Sequence, residues 1–322
     1  MADVPIRNKG KASLAAAAFT VLRPIHWMKN LSLFAAIFLT GKFLETDLFS
    51  LAFWGFISFN LASSATYILN DLFDVQRDRS HPVKKFRPIA SGALPPLVAI
   101  IELVFISCLS LALAAGINHL FLLMIIGYLV LQFSYSAGLK NFPIIDILII
   151  ATGFIMRVYA GAFVINAHLS VWFLLCVVSV ALFLASGKRR AELNVLKDAT
   201  GVTRYSLIRY PRELLNSYVT MFGNASWMSW ALYTFFESPK AALPFWLVLA
   251  ELSKTTTINK LLMLTIPVTI FGIMRYQSLI FAGKSETPEK LLLTDKALIT
   301  TVILWVIMVY WVLYSGISVT GI

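Results

Sequence analysis

The stretch LPPLVAIIELVFISCLSLALAAGINHLFLLMIIGYLVLQFSYSAGL, residues 94–139, decides the fold. It contains two apolar runs, Leu94–Ala115 and Leu120–Leu139, separated by a short turn near Asn118. A membrane-spanning α-helix needs about 20 predominantly apolar residues to cross the hydrocarbon core of the bilayer. The segment is helical because lipid cannot satisfy exposed backbone polar groups. The stretch therefore predicts two antiparallel spanning helices joined by a minimal turn.

The composition extends this prediction to the whole chain. Of its 322 residues, 59% are hydrophobic and 13% are charged, which is too apolar for an ordinary soluble domain. Similar runs recur along the sequence and predict nine spanning helices in a single domain over residues 1–322, an all-α integral membrane protein. The other seven predicted spans are Leu31–Phe43, Leu48–Leu69, Pro143–Ile165, Leu169–Ser186, Leu214–Phe236, Leu261–Phe281 and Ala297–Ile317.

The basic residues predict the orientation of this bundle, because cytoplasmic connections carry an excess of Lys and Arg. If residues 1–22 form a cytoplasmic N-terminal segment, nearly all of the 27 basic residues lie towards the cytoplasmic side of the bundle. The exceptions, on the outer side, are Lys42, Lys240, Lys254 and Lys260. The net charge of +11 is thus concentrated on the inner face of a plasma membrane protein, where a small anion rather than a nucleic acid is the expected partner. Irregular polar connections must be buried or line a wet cavity, so we expect a polar cavity that opens to the cytoplasm.

The string NDLFDVQRD, residues 70–78, follows the second predicted span. In a continuous helix its three acids are at i, i+3 and i+7 and project from one stripe. Carboxylates so close repel one another unless a cation neutralises them, and hard oxygen ligands suit Mg²⁺. The alternative is a solvated helix end paired with the neighbouring arginines. The predicted metal ligands are Asn70, Asp71, Asp74 and Asp78.

Basic residues follow at once in SHPVKKFRPIASG, residues 80–92. Beside a bound metal, Lys84 and Arg87 would hold the phosphates that the metal bridges, Arg through a planar fork and Lys as a point charge. Together the two motifs predict a magnesium-diphosphate site. Basic residues at a membrane edge are also common as topology determinants or as contacts to anionic lipid.

A third charged string, SGKRRAEL, residues 186–193, ends the sixth predicted span. Glu192 lies one helical turn from Lys188 and Arg189, so it can orient both towards the same cavity. The alternative is a helix-end salt bridge.

Isolated polar residues within the predicted spans are further candidates. Asp146 and Arg157 are three turns apart on one helix, about 16 Å by helical rise, so neither neutralises the other. Ionisable groups inside a membrane are functional candidates, although pairing with a neighbouring helix is an equal alternative. Tyr135 lines the cavity or anchors its helix at the membrane interface.

The acid motif resembles the first aspartate motif of the UbiA superfamily of membrane transferases. More narrowly, four stretches resemble the branch that uses phosphoribosyl diphosphate in place of a prenyl diphosphate, and together they tile the chain. They are RPIHWMKN (23–30), NDLFDVQRDRSHPVKKFRPIASG (70–92), YSAGLKNFPIIDILIIATGFIMRVYAG (135–161) with SGKRRAEL (186–193), and PEKLLLTDKAL (288–298).

One stretch departs from the prenyltransferase branch, which has a second acidic motif after the sixth helix. Here that connection reads GKRRAELNVLKDATG, residues 187–201, with only Glu192 and Asp198 as acids. The departure argues against a second metal on two aspartates. A site whose second half is basic suits a donor that has a 5-phosphate as well as its diphosphate. The basic connection therefore favours the phosphoribosyl branch.

The resemblance implies transfer of a phosphoribosyl group from 5-phosphoribosyl 1-diphosphate to a long-chain polyprenyl phosphate, in cell-wall glycan precursor synthesis. It implies Mg²⁺ as cofactor and the three acids of the motif as catalytic residues. Lys29 and Arg23 are expected to hold the acceptor phosphate. The expected ligands of the donor phosphates are Lys84, Arg87, Lys188 and Arg189. The residues expected to contact the ribose or support the site are Asn70, Glu192, Asp295, Asp146, Arg157 and Tyr135.

Two other functions stay open. A UbiA-type prenyltransferase with an aromatic or quinone-precursor acceptor would share the acid motif but should have a second acidic cluster. A transporter would also place charges in the membrane, but the sequence lacks internal repeats with broken helices in both halves. A homo-oligomer is compatible with the sequence.

Overall fold

The computed structural model describes residues 13–81, 83–195, 209–237, 261–283, 291 and 294–314, so the first part of the predicted N-terminal segment lies outside it. The described residues form helices and no strands, as predicted. Their α-helices, numbered along the chain, are α1 (Leu14–Val21), α2 (Ala35–Leu39), α3 (Thr46–Phe73), α4 (Val75–Ser80), α5 (Pro96–Ile117), α6 (His119–Ala137), α7 (Ile145–Val164), α8 (Val171–Val195), α9 (Arg212–Phe236), α10 (Ile266–Phe281) and α11 (Lys296–Tyr314). Short 3-10 helices cover Pro24–Phe34, Lys84–Phe86, Leu139–Asn141 and Leu261–Thr265.

Seven helical segments of the described chain are long and apolar enough to cross a membrane. They are α3, α5, α6, α7, α8, α10 with the 3-10 helix before it, and α11. The lipid-facing side is clear in α5, where Leu97, Ile101 and Phe105 follow one another by one turn and are 62% to 69% exposed. A contiguous stripe of large apolar side chains marks a surface that meets lipid. The prediction of a multi-pass membrane protein is therefore confirmed.

Two predicted spans lie outside this apolar set. α9 covers the predicted span Leu214–Phe236 and has 25 residues. The predicted span Leu31–Phe43 is not a regular α-helix. Its first residues belong to the first 3-10 helix, and α2, which follows, has only five residues. Trp27 and Asn30 of that 3-10 helix donate hydrogen bonds to side chains of α3 at 3.0 and 2.6 Å. These polar contacts hold the segment against α3, and its apolar content alone did not reveal them.

The turn at Asn118 has the minimal form that the sequence predicts. Its side-chain oxygen accepts a hydrogen bond from the N–H of Phe121 at 2.8 Å and so caps α6. Its side-chain amide donates to the carbonyl oxygen of Phe163 at 2.8 Å. One residue therefore ends α5, starts α6 and ties both to the end of α7.

α7 joins two large apolar clusters of the bundle. Ala160 packs in one cluster with Phe59 of α3 and Phe121 of α6. Val158 packs in the other cluster with Trp230 of α9 and with residues of α8 and α11. The helix is therefore the element around which the earlier and later helices meet.

The first 3-10 helix touches α7 at Gly161. A Cβ atom at residue 161 would lie 1.8 Å from the carbonyl oxygen of Leu33. This neighbour is backbone and cannot rotate away, so the contact requires glycine. It fixes the position of the segment that carries Lys29 and Asn30.

We predict that Gly161→Ala lowers the free energy of unfolding by about 1–3 kcal/mol, because a methyl group forces the two backbones apart. The measurement is thermal unfolding of the purified protein in detergent. The control is Gly116→Ala in α5, where an added Cβ meets nothing within 4 Å. Equal unfolding midpoints for the two variants would contradict the prediction.

Candidate active site

The acid motif lies at the end of α3, where the chain bends. α3 ends at Phe73, Asp74 has φ of −96° and ψ of 6°, and α4 begins at Val75. The N–H groups of Asp74 and Asp78 still donate to the carbonyl oxygens of Asn70 and Asp74, at 3.0 and 2.8 Å. The backbone thus bends at Asp74 while these two hydrogen bonds are kept, and the bend separates the motif into two groups.

The first group consists of Asp71 and Asp78, which are both buried, with two arginines. Arg23 Nη2 contacts the two carboxylate oxygens of Asp71 at 2.6 and 2.8 Å. Arg87 Nη1 contacts Asp71 Oδ1 at 3.0 Å and Asp78 Oδ2 at 2.6 Å. We call these four residues the arginine-held group. One nitrogen reaches both carboxylates, so their oxygens are close enough to share a single cation.

The second group consists of Asn70 and Asp74, held by the buried Lys140. Lys140 Nζ lies 2.7 and 2.8 Å from the carboxylate oxygens of Asp74 and 3.2 Å from Asn70 Oδ1. We call these three residues the lysine-held group. Lys140 was not among the predicted site residues, because a lone basic residue in a short connection indicates orientation but does not identify a partner of the acids.

The prediction of three carboxylates on one stripe needs correction. Within the described part of the chain, no three or more His, Cys, Asp or Glu residues come together as a metal-binding group. The prediction assumed a continuous helix, whereas the bend at Asp74 and the intervening cations separate this residue from Asp71 and Asp78. A cation would meet either two carboxylates or one carboxylate with an amide oxygen.

A second charged network surrounds Arg189, whose side chain is 0% exposed. Its Nε lies 2.7 Å from Asp146, its Nη1 2.5 Å from Glu192, and its Nη2 2.9 Å from the hydroxyl of Tyr135. A fully buried guanidinium that already contacts two carboxylates is not placed to bind a donor phosphate, which corrects the prediction for Arg189. The predicted contact between Glu192 and Arg189 is present.

Tyr210, which precedes α9, completes this Arg189 network. Its hydroxyl donates to Asp146 at 2.7 Å and accepts a hydrogen bond from the N–H of Ile144. Burial raises the pKa of the Tyr210 hydroxyl, so it stays protonated and can keep donating. Nothing in the local sequence around Tyr210 identified its partner, which is 64 residues away.

Arg157 is also held by protein groups. Its guanidinium donates to Asn30 Oδ1 at 2.6 Å, to the carbonyl oxygen of Gly153 at 2.5 Å and to the Tyr128 hydroxyl at 2.9 Å. Asp146 and Arg157 therefore both pair with neighbouring elements, which was the alternative to a direct functional role. Their place is around the site, as support.

Lys29 and Lys188, predicted to hold different phosphates, lie near one another. Each is within electrostatic range of the other and of Tyr67. The Arg23 guanidinium lies 5.1 Å from the centre of the Tyr67 ring. Tyr67 precedes Asn70 by one turn on the same face of α3, a spacing that could have identified it. This part of the site is cationic, in contrast to the acid motif one turn away.

Two other predicted site residues are placed differently. The Lys84 side chain is exposed, and its backbone N–H donates to His81 Nδ1 at 3.2 Å. Asp295 pairs with Arg275 at 2.7 Å and accepts the N–H of Leu298 at 2.9 Å, which caps α11. These contacts give Asp295 a role in holding α10 and α11 together, which differs from the predicted contact with ribose.

A cavity of about 330 Å³ opens beside the arginine-held group. It lies between α1, the acid motif and the basic stretch that follows the motif. Its lining residues are Thr20, Val21, Arg23, His26, Asp71, Val83, Phe86, Arg87 and Pro88. A ligand that entered here would meet both arginines and one acid.

Helices of spanning length that surround paired acidic and basic residues are the architecture of an integral membrane transferase. The profile of the UbiA prenyltransferase family matches residues 30–250, and the chain belongs to this family. Its fold is similar to that of a UbiA homolog from Archaeoglobus fulgidus bound to GPP and Mg²⁺. That comparison has a TM-score of 0.65 and 19% identity, and covers 94% of this chain and 100% of the other.

Within the family, the chain is similar to decaprenyl-phosphate phosphoribosyltransferases. It is 35% identical over 310 residues to the Corynebacterium glutamicum protein, covering 94% of this chain and 88% of that relative. It is 31% identical over 299 residues to the Mycobacterium tuberculosis protein, covering 92% and 93%. The resemblance that the sequence motifs indicated is confirmed.

We predict that Tyr210→Phe lowers the free energy of unfolding by about 1–3 kcal/mol, because it leaves buried polar groups of Asp146 and Ile144 without this hydroxyl. Thermal unfolding in detergent measures the effect. Tyr218→Phe is the matched control, since the ring of Tyr218 packs against the ring of Phe222 and the substitution keeps that contact. The prediction fails if both variants unfold at the wild-type midpoint.

Proposed function

We propose that the chain transfers the phosphoribosyl group of 5-phosphoribosyl 1-diphosphate to a long-chain polyprenyl phosphate and releases diphosphate. The names of its relatives, 31% to 35% identical over more than nine-tenths of the chain, support this pair of substrates. The basic string at residues 187–190, which replaces a second acidic motif, favours a donor with several phosphates.

The observation that carries the proposal is the alternation of acids and bases at the end of α3. Asp71, Asp74 and Asp78 are each within 3.0 Å of an Arg or Lys nitrogen. A metal-bound diphosphate needs both kinds of group, because carboxylates hold the metal while guanidinium and ammonium groups hold the phosphates. A transporter needs no such pairing, and membership of a transferase family argues against that alternative.

Mg²⁺ is the proposed cofactor, and the residues fit it. In both the arginine-held and the lysine-held group, oxygen atoms already converge on a cationic nitrogen. Mg²⁺ typically takes one or two carboxylates and completes its shell with substrate phosphates and water. When bound, it would neutralise charge on the departing diphosphate. The Archaeoglobus homologue bound to Mg²⁺ supports the assignment.

The residues of the chain bind and place the two substrates. Arg87 and Lys188 would hold the donor phosphates, with Lys84 at the exposed edge, while Lys29 and Arg23 hold the acceptor phosphate. An oxygen of the acceptor phosphate forms a bond to C1 of the ribose as the bond from C1 to the diphosphate oxygen breaks. The acceptor is already anionic at neutral pH, so it needs placement more than a general base.

The other predicted residues support this arrangement. Positive charge that develops on the ribose during transfer is stabilised by the carboxylates of the acid motif. Asn70 orients Asp74 by sharing Lys140 with it. The Arg189 network, with Asp146, Glu192, Tyr135 and Tyr210, holds the inner end of α8, which also carries Lys188.

The membrane placement is part of the proposal. The chain is one domain over residues 1–322 in the inner (plasma) membrane, and the site faces the cytoplasm, where a soluble donor is supplied. The isoprenoid tail of the acceptor remains in the bilayer, and the product serves the synthesis of cell-wall glycan precursors. The distribution of Lys and Arg supports this orientation.

Prenyl transfer to an aromatic or quinone-precursor acceptor is the second candidate. It is favoured by the description of the family and by the homologue bound to GPP. The basic string after Ser186 argues against it, because a second acidic motif is expected in that branch.

We predict that membranes containing the chain, Mg²⁺ and a polyprenyl phosphate transfer label from ribose-labelled 5-phosphoribosyl 1-diphosphate into lipid. Asp74→Ala should reduce the rate on the order of 10²–10³-fold, because it removes an oxygen ligand and a charge that stabilises the transition state. Lys42→Gln, in the exposed turn that precedes the opposite end of α3, is the control and should keep the wild-type rate. Equal transfer from a prenyl diphosphate to an aromatic acid would establish the second candidate instead.

Lys29 is expected to contribute to acceptor binding and not to donor binding. Lys29→Gln should raise KM for the polyprenyl phosphate about 10- to 100-fold, the worth of a charge-assisted hydrogen bond, with a small effect on KM for the donor. Steady-state kinetics with each substrate varied in turn measure both constants. If KM for the donor rises instead, Lys29 belongs to the donor site together with Lys188.

A further inference from the structure

The acid motif is already neutralised by the chain itself. Each of its three carboxylates has a protein cation within 3.0 Å, and the cations come from three separate parts of the chain. They are Arg23, Arg87 and Lys140. The motif as a whole therefore carries little net charge, and a free divalent ion gains little electrostatic energy by approaching it.

A metal ion that reached these oxygens would have to displace a protein cation. Arg87 Nη1 lies between Asp71 and Asp78, and Lys140 Nζ lies against Asp74 and Asn70, where the oxygens converge. A displaced cation would stand beside a divalent ion in a largely buried place, so repulsion and desolvation both oppose the exchange. A diphosphate removes this penalty, because its oxygens offer the displaced cations new partners.

We propose that Arg87 and Lys140 are exchange cations, which keep the acids from a free divalent ion and release them when the ion arrives with the donor diphosphate. The inference rests on the proposed function, which supplies the metal and the donor. It makes metal and diphosphate binding a single cooperative event, in which each raises the affinity of the other by the same factor.

The first test uses Mn²⁺ alone as a probe that electron paramagnetic resonance can detect. It is titrated against the purified full-length chain without diphosphate. The wild type should bind Mn²⁺ weakly, and Lys140→Gln should raise the affinity about tenfold or more, because a unit charge at contact distance has been removed. Arg87→Gln should act in the same direction at Asp71 and Asp78. The matched control Lys42→Gln removes the same charge from an exposed position and should leave the affinity unchanged.

The second test measures binding of labelled inorganic pyrophosphate at saturating Mn²⁺. Here Lys140→Gln and Arg87→Gln should lose affinity about tenfold, because the released cations are missing. A variant that is merely misfolded would lose affinity for both probes, whereas exchange cations move the two affinities in opposite directions. Adding Asp74→Asn to Lys140→Gln should abolish the gain in Mn²⁺ binding, since it removes the freed carboxylate.

The inference is overturned if the wild type binds Mn²⁺ alone as tightly as the variants do, or if both variants lose affinity for the metal. The labelled transfer assay separates this failure from failure of the proposed function. A chain that transfers phosphoribosyl groups but binds free metal tightly overturns the exchange alone. A chain that shows the exchange without phosphoribosyl transfer overturns the proposed function alone.

Discussion

Neutralisation of buried charge by distant parts of the chain is the interaction on which this end of the bundle depends. Arg23 meets Asp71 across 48 residues, and Lys140 meets Asp74 across 66. Removing one member of such a pair leaves an uncompensated charge in a poorly solvated place, which is strongly unfavourable. The pairs therefore decide which connections lie against which helix ends, and the site is a consequence of that arrangement.

Much of the fold follows from the sequence, because a spanning helix has a length and an apolar content that can be counted. The acid motif and the neighbouring Arg87 also follow, because their chemistry is carried by residues close together in sequence. The partners of the acids do not follow in the same way. Lys140 and Tyr210 have no local pattern that marks them, and their roles depend on how whole helices pack. The bend at Asp74 and the 3-10 helix in place of a first span have the same origin, since tertiary contacts there override local preference.

The string Lys188, Arg189, Arg190 illustrates how one basic run serves several purposes. Successive residues of a helix point about 100° apart, so the three side chains diverge. Lys188 lies near Tyr67 and Lys29, and Arg189 is enclosed by Asp146 and Glu192. Arg190 donates to Asn216 at 2.5 Å. The basic run thus supplies one candidate ligand for anions and two side chains that hold α8 against its neighbours.

Gly161 affects the proposed acceptor site although it has no side chain. Since residue 161 lies against the backbone of Leu33, the absence of a Cβ atom there determines how closely the segment that carries Lys29 approaches α7. Under the proposed function, a larger residue at position 161 would shift Lys29 and hold the acceptor phosphate too far from the ribose, although no functional group had changed.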